Sequence, residues 1–191
     1  MKRNLEYPAL TTRQILDGLR RHHCYPISQG VRPAWVFVEE VRVTRGWMRF
    51  EINGTRFSPE QEIDAWAIHL WPSQKHKTVA YEVKTSRADF LRELAKPEKR
   101  RVAHALANQV YFAVPEYMVK RAEIPSDMGL IWVTKDGRVR TEVEAPSSPI
   151  ASLPVGFWLS VCVRLGQNSA VRGAGQDDAS MPRDLGNQER P

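Results

Sequence analysis

The chain has 191 residues, 42% hydrophobic and 26% charged, which suits a single globular domain with a sizeable core. No apolar run approaches the roughly 18 residues of a membrane span, and the basic start MKRNLEYPAL has no apolar segment behind it, so the expected compartment is the cytoplasm, with no membrane partner. Two distant cysteines, Cys24 and Cys162, exclude a disulfide scaffold or a zinc ribbon, and a net charge of +6 is compatible with a polyanionic partner without requiring one.

Thr11 or Thr12 caps a first helix running to about His23, with Ile15, Leu16 and Leu19 as its buried stripe. His22, His23 and Cys24 stand in a row at its end, but adjacent helical residues point apart and no fourth ligand accompanies them, so zinc is not expected. Pro26 and Gly30 break the chain. From Pro33 to about Thr44 the apolar AWVFVEEVRV carries Glu39 and Glu40 near its centre, and periodicity does not decide between helix and strand. The region from Gly46 to Pro59, with Asn53 and Gly54, reads as a hairpin.

Ile63 to Leu70 reads as a largely buried strand, WPSQKHK as a polar, basic turn, and Thr78 to Lys84 as the next strand, with Val79, Tyr81 and Val83 on one face. Ser86 and Asp89 start a helix reaching about Ala95, and Pro97 opens another that Asn108 closes. QVYFAV is a third strand, stopped by Pro115. GLIWVT and the stretch from Arg138 to Glu144 are further strands joined at Asp136-Gly137. The segment from Pro149 to Leu165 reads as a closing helix that packs Phe157, Trp158, Val161, Cys162 and Leu165 on the sheet. From residue 166 onward the chain is polar and rich in Gly, Gln, Asp and Arg, which predicts a disordered tail behind one domain spanning 1–165. The order of elements predicts a mixed α/β fold, a central mixed sheet flanked by helices.

The chemistry concentrates on two of these strands. Residues two apart in a strand share a face, so Glu82 and Lys84 project together. Asp64 lies on the preceding strand in an apolar row with Trp66, Ile68 and Leu70, where an ionised group is costly unless paired or metal-bound. An antiparallel hairpin around WPSQKHK brings Asp64 level with Glu82, 17 residues intervening between them. Paired carboxylates without nearby histidines suit Mg²⁺ or Mn²⁺ better than zinc, and such an ion with a lysine beside it gives the kind of help that phosphodiester hydrolysis needs. Arg87, Arg92, Lys96, Lys99, Arg100, Arg101 and His104 follow directly, a basic stretch that alone reads equally as a solvated helix face and that, beside the carboxylates, reads as a surface to meet phosphates. Lys75 and Trp71, in the hairpin turn, are further candidates for touching nucleic acid. Ser86 and Asp89 have a sufficient role as helix caps.

The string IDAWAIHLWPSQKHKTVAYEVKTSRADFLREL resembles the signature of the PD-(D/E)xK, or restriction-endonuclease-like, nucleases, with Asp64 as the D and Glu82-Val83-Lys84 as the (D/E)xK. EVKTSRADFLREL followed by KPEK is more similar still to MmcB-like DNA-repair and phage nucleases. The resemblance covers roughly residues 33 to 134 and implies an αβββαβ core. It also implies that an acid in VFVEEVR completes the metal site; of Glu39 and Glu40 we prefer Glu40, the acid that opens Glu-Val-Arg. Ile63 stands where the motif's name has proline. The expectation is a Mg²⁺- or Mn²⁺-dependent nuclease acting on DNA rather than RNA, with Asp64, Glu82, Lys84 and Glu40 as its centre. Arg87, Lys96, Lys99, Arg100 and Lys75 would contact the nucleic acid, and a second copy or a partner protein is an open possibility. Two competitors stand beside it: an inactive nuclease fold that only binds DNA or protein, and a metal-independent RNA-processing enzyme, which would need a His/Tyr/Lys set.

Overall fold

The computed structural model describes residues 7–24, 33–43, 50–52, 55–57, 61–150 and 152–173. Thr11 opens the first helix, α1 (Thr12–Cys24), with a reciprocal cap: its hydroxyl accepts the N–H of Gln14 at 3.2 Å, and the Gln14 side chain accepts the N–H of Thr11 at 2.9 Å. Ile15, Leu16 and Leu19 are buried, as their spacing predicts.

The undecided segment is a strand, β1 (Trp35–Arg42), and its lack of alternation has a physical cause: Phe37 enters the core on one face of the sheet and Val38 the core on the other. A small separate hairpin follows, β2 (Phe50–Ile52) with β3 (Thr55–Phe57). The main sheet continues with β4 (Glu62–His69) and β5 (Thr78–Val83), joined through a short 3-10 turn over Pro72–Gln74. Then come α2 (Arg87–Leu94), α3 (Pro97–Leu106), β6 (Gln109–Pro115), β7 (Gly129–Val133), β8 (Val139–Val143) and α4 (Val155–Gly173).

The strand order is β1-β4-β5-β6-β7-β8. The three central strands β5, β6 and β7 run parallel; β1, β4 and β8 pair antiparallel with their neighbours. The fold is mixed α/β, a six-stranded mixed sheet flanked by helices, and its order of α1, β1, β4, β5, α2 with α3, then β6 is the one expected. Pro115 is the last residue of β6 rather than a stop before it. Gly137, with φ 77°, makes the β7–β8 turn.

Two apolar layers hold the sheet. One face carries Trp66, Phe112 and Leu130 against Phe90, Leu106 and Phe157 of α2, α3 and α4. The other carries Ala65, Tyr81 and Ala113 against α1. Trp66 is fully buried and its indole N–H donates to the Leu106 carbonyl at 2.9 Å, which fastens α3 over β4. The closing helix differs from its expectation. It begins at Val155 and continues past Leu165, through Gly166, to Gly173, and Cys162 is exposed; Phe157 and Trp158 pack edge-on against the Trp66 ring of β4 as expected, with centroids 5.3 and 5.9 Å away. The remainder of the expected tail, 174–191, lies outside the described residues.

Candidate active site

Register brings the first acidic pair together. Ala65 pairs with Tyr81 and Trp66 with Ala80, so the next residues outward, Asp64 and Glu82, stand opposite each other where β4 and β5 end. The Asp64 carboxylate accepts the Val83 N–H at 2.8 Å. The Lys84 N–H donates to the Ala113 carbonyl at 3.1 Å, holding the strand end against β6. The Lys84 ammonium lies 3.4 Å from Glu82 Oε2 and 3.6 Å from Glu93 Oε2. Three of the four residues expected at the centre, Asp64, Glu82 and Lys84, are therefore gathered at one strand end.

Glu93 is the addition. It sits on α2 and its side chain is only 12% exposed. Residues three apart on a helix share a face, and Phe90, three positions before it, is fully buried against Phe112. That spacing is readable in the sequence, where α2 yields Ser86 and Asp89 as caps and Arg87 and Arg92 as basic residues but not Glu93.

The electrostatics follow from one ammonium facing three carboxylates. Burial, then the charge of Asp64 and that of Glu93, pushes the Glu82 carboxyl up to about 7, with Lys84 opposing. Burial also raises Asp64; Lys84 and the Val83 N–H work against the rise, while the charges of Glu93 and Glu40 add to it. Burial works to lower the Lys84 ammonium, but Glu82, Asp64 and Glu93 outweigh it and hold it above its ordinary value.

Two clefts open on this cluster. One, of about 320 Å³, lies among Ile63, Glu82, Lys84, Glu93, Lys99 and Val102; the other, of about 420 Å³, is lined by Thr12, Asp64, Lys84, Arg92, Lys96 and Lys99, among others. Lys84, Glu93 and Lys99 belong to both, so the clefts form one groove. Lys96 and Lys99 are exposed along it.

Neither cleft is lined by the other expected contacts, Arg87, Arg100 and Lys75. Arg87 is tied to the Glu123 carboxylate and to the Met118 carbonyl at 3.2 Å. Arg100 is 5% exposed, with Nη1 on the Glu93 carbonyl at 3.1 Å, so its charge serves the junction of α2 and α3 and not the surface. Lys75 is exposed but caps the turn at the far end of the hairpin. Ile68 and Thr78, the last pair before that turn, are four residues from Asp64 and Glu82, roughly 13 Å at the rise of a strand. Trp71 lies there too, 49% exposed.

The neighbouring glutamates of β1 part company. Glu39 is 5% exposed, its carboxylate bound by Arg13 at 2.7 and 3.0 Å and by Arg20 at 2.7 Å, both from α1. Glu40 turns to the opposite side, is 53% exposed and pairs with Arg164 of α4. Its flanking residues pair with Ala65 and Ile63, which sets Glu40 across from Asp64.

The donor set suits a hard divalent cation in charge and in element, with Asp64, Glu82 and Glu93 exceeding Lys84 by two negative charges. Among the described residues, no group of three His, Cys, Asp or Glu side chains is placed to hold a metal ion as it stands. His23, from the His-His-Cys run, is buried and hydrogen-bonds the Tyr81 hydroxyl at 2.6 Å.

No family model matches the chain, and no curated protein matches it in sequence. A solved protein of unknown function from Silicibacter pomeroyi is similar in structure, with a TM-score of 0.51 and 18% identity, covering 95% of this chain and 99% of that one. At that identity the likeness is one of fold. No helix among the described residues is long and apolar enough to cross a membrane.

Proposed function

We propose that this protein is a divalent-metal-dependent nuclease of the PD-(D/E)xK class that hydrolyses phosphodiester bonds, with DNA as the preferred substrate over RNA, acting in the cytoplasm in DNA repair, recombination or phage DNA processing. One observation carries the reading: Asp64, Glu82 and Glu93 share a single ammonium, that of Lys84, in a groove that Lys96 and Lys99 edge. Buried carboxylates in such excess are expensive without a cation to share them.

Asp64 and Glu82 would hold Mg²⁺ or Mn²⁺, with Glu40 contributing from β1. The ion, when bound, supplies an activated water and neutralises charge on the phosphate. Lys84, kept charged by its carboxylate neighbours, steadies the attacking water or the charge developing on the phosphate oxygens. Lys96 and Lys99 draw the backbone of the nucleic acid along the groove. The described residues include no second domain to read a site, so cleavage directed by nucleic-acid structure, a second copy or a partner protein fits this reading.

The test is cleavage of a panel comprising linear duplex, supercoiled plasmid, single strand, flap, four-way junction and RNA, with Mg²⁺, Mn²⁺ or EDTA. Cutting that needs metal and vanishes in Lys84→Ala is the expected result; no cutting and no metal binding would overturn it. A second reading, a nuclease fold that binds nucleic acid without cutting, is favoured by the absence among the described residues of three side chains already placed to hold an ion. It predicts binding to the same panel that Lys99→Glu weakens, with no product.

A further inference from the structure

Glu40 has a backbone that its surroundings do not explain. Its φ is 50°, the left-handed region that a residue with a long side chain rarely enters inside a strand. Both neighbours stay in the ladder, Glu39 opposite Ala65 and Val41 opposite Ile63, so the strand does not end there. The kink changes the phase of β1: Val38 and Val41, three apart, both reach the core beneath α4. Glu40 is thereby exposed beside α4, in a cleft it shares with Glu62 and Arg164.

One side chain spans the kink. Arg164, on α4, donates from Nε to the Glu39 carbonyl at 3.0 Å and from Nη2 to Glu40 Oε2. A single guanidinium therefore holds the peptide before the kink and the carboxylate after it. A planar guanidinium has the fixed donor geometry for this, which a lysine ammonium lacks. The pair lines a polar cleft of about 400 Å³ with Arg42, Glu62, Ser160 and Gln167, and Glu62 also lines the cleft that contains Glu82 and Lys84. The two spaces adjoin.

We propose that Arg164 is a positioning residue for Glu40: it fixes the kinked conformation that sets the carboxylate across from Asp64, taking Oε2 and leaving the other oxygen to the cation. Carboxylates that bind metals are oriented by hydrogen bonds from outside the coordination sphere, and loss of such a partner costs on the order of ten- to a hundredfold in metal affinity. The inference rests on the metal-dependent reading above, and it makes α4 part of the site.

Mn²⁺ binding to the full chain, measured by calorimetry, tests it with Arg164→Gln, Arg164→Lys, Glu40→Gln, the double variant Glu40→Gln/Arg164→Gln, and Asp64→Asn. Arg164→Gln should weaken Mn²⁺ binding on the order of ten- to a hundredfold, with partial recovery in Arg164→Lys. In the Glu40→Gln background the same substitution should add no further loss, because its target is already gone. Unchanged affinity in Arg164→Gln, or a loss that persists in full without Glu40, overturns the proposal and leaves Arg164 a helix anchor. Wild-type protein that binds no Mn²⁺, or binding that Asp64→Asn does not affect, overturns the metal reading itself.

Discussion

Asp64 accepts the backbone N–H of Val83 at 2.8 Å, so the acid of one strand is tied to the main chain between the two charged residues of the next. The contact gives Asp64 a structural duty beside its proposed chemical one, and different substitutions separate them. Asp64→Asn retains an acceptor and should stay folded while losing Mn²⁺ binding. Asp64→Ala leaves the Val83 N–H without its partner and should cost about 1–3 kcal/mol in urea unfolding without metal. Equal stability of the two variants would remove the structural duty.

The carboxyl of Glu82 sets a pH dependence whose sign can be worked out. Burial and the charges of Asp64 and Glu93 lift it from an ordinary value near 4.5 to about 7. An acid raised on folding takes up its proton more readily in the folded state. Its favourable contribution is fully present below 4.5 and is lost as pH rises through 7. The metal-free protein should lose stability from this group across that window, and Glu82→Gln should flatten the loss. A divalent ion replaces the proton, so the Mn²⁺-induced rise in Tm should be larger at about pH 8 than at about pH 6. Thermal unfolding with and without Mn²⁺ at both values decides it; a rise independent of pH would count against Glu82 as a ligand.

Glu93 touches Lys84, not the Asp64–Val83 link, and its removal should act through the ammonium. Glu93→Gln is expected to lower kcat on the order of tenfold while KM for nucleic acid holds, as for a group that orients another. Cleavage rates measured over a range of substrate concentrations up to saturation are the measurement. A change confined to KM would place Glu93 among the substrate contacts instead.

Behind the sheet, His23 is held neutral: burial, with some help from His22, lowers its pKa to about 3. A histidine depressed in this way contributes stability that is present above its ordinary value of 6.5 and is lost as pH falls toward 3. Wild type should therefore unfold more readily in acid than His23→Gln does, once each is referred to its own stability near neutrality. Urea midpoints across that range test this. Parallel curves would show that His23 does not titrate on unfolding.

The β4–β5 hairpin and its acids were legible because two apolar runs of strand length flank a polar turn, and a period of two fixes which residues share a face. Glu40 was preferred over Glu39 on a resemblance alone, and the structure supplies the physical difference: two arginines of α1 occupy Glu39. Those partners lie 26 and 19 residues away, beyond any local pattern. Arg100 was read with its charge run, whereas its position on the inner side of α3 buries the guanidinium against the Glu93 carbonyl. Lys75 lies in the hairpin turn where the sequence puts it, and the length of the hairpin separates that turn from the acids. Gly166 and the polar residues after it suggested the end of α4, yet the helix passes through a glycine at a propensity cost of about 1 kcal/mol.

Among the described residues β1 is an outer strand, with β4 on one side and no strand of this sheet on the other. An uninterrupted outer strand offers a row of open peptide groups along which another chain can align. The left-handed turn at Glu40 breaks that row midway, and the Glu39 carbonyl beside it is already taken by Arg164. Extension of the sheet from one copy of this chain into the next is disfavoured at this rim. If two copies assemble to cut both strands of a duplex, they should not meet along β1, and the local distortion that presents an acid would also keep sheets from joining through this rim.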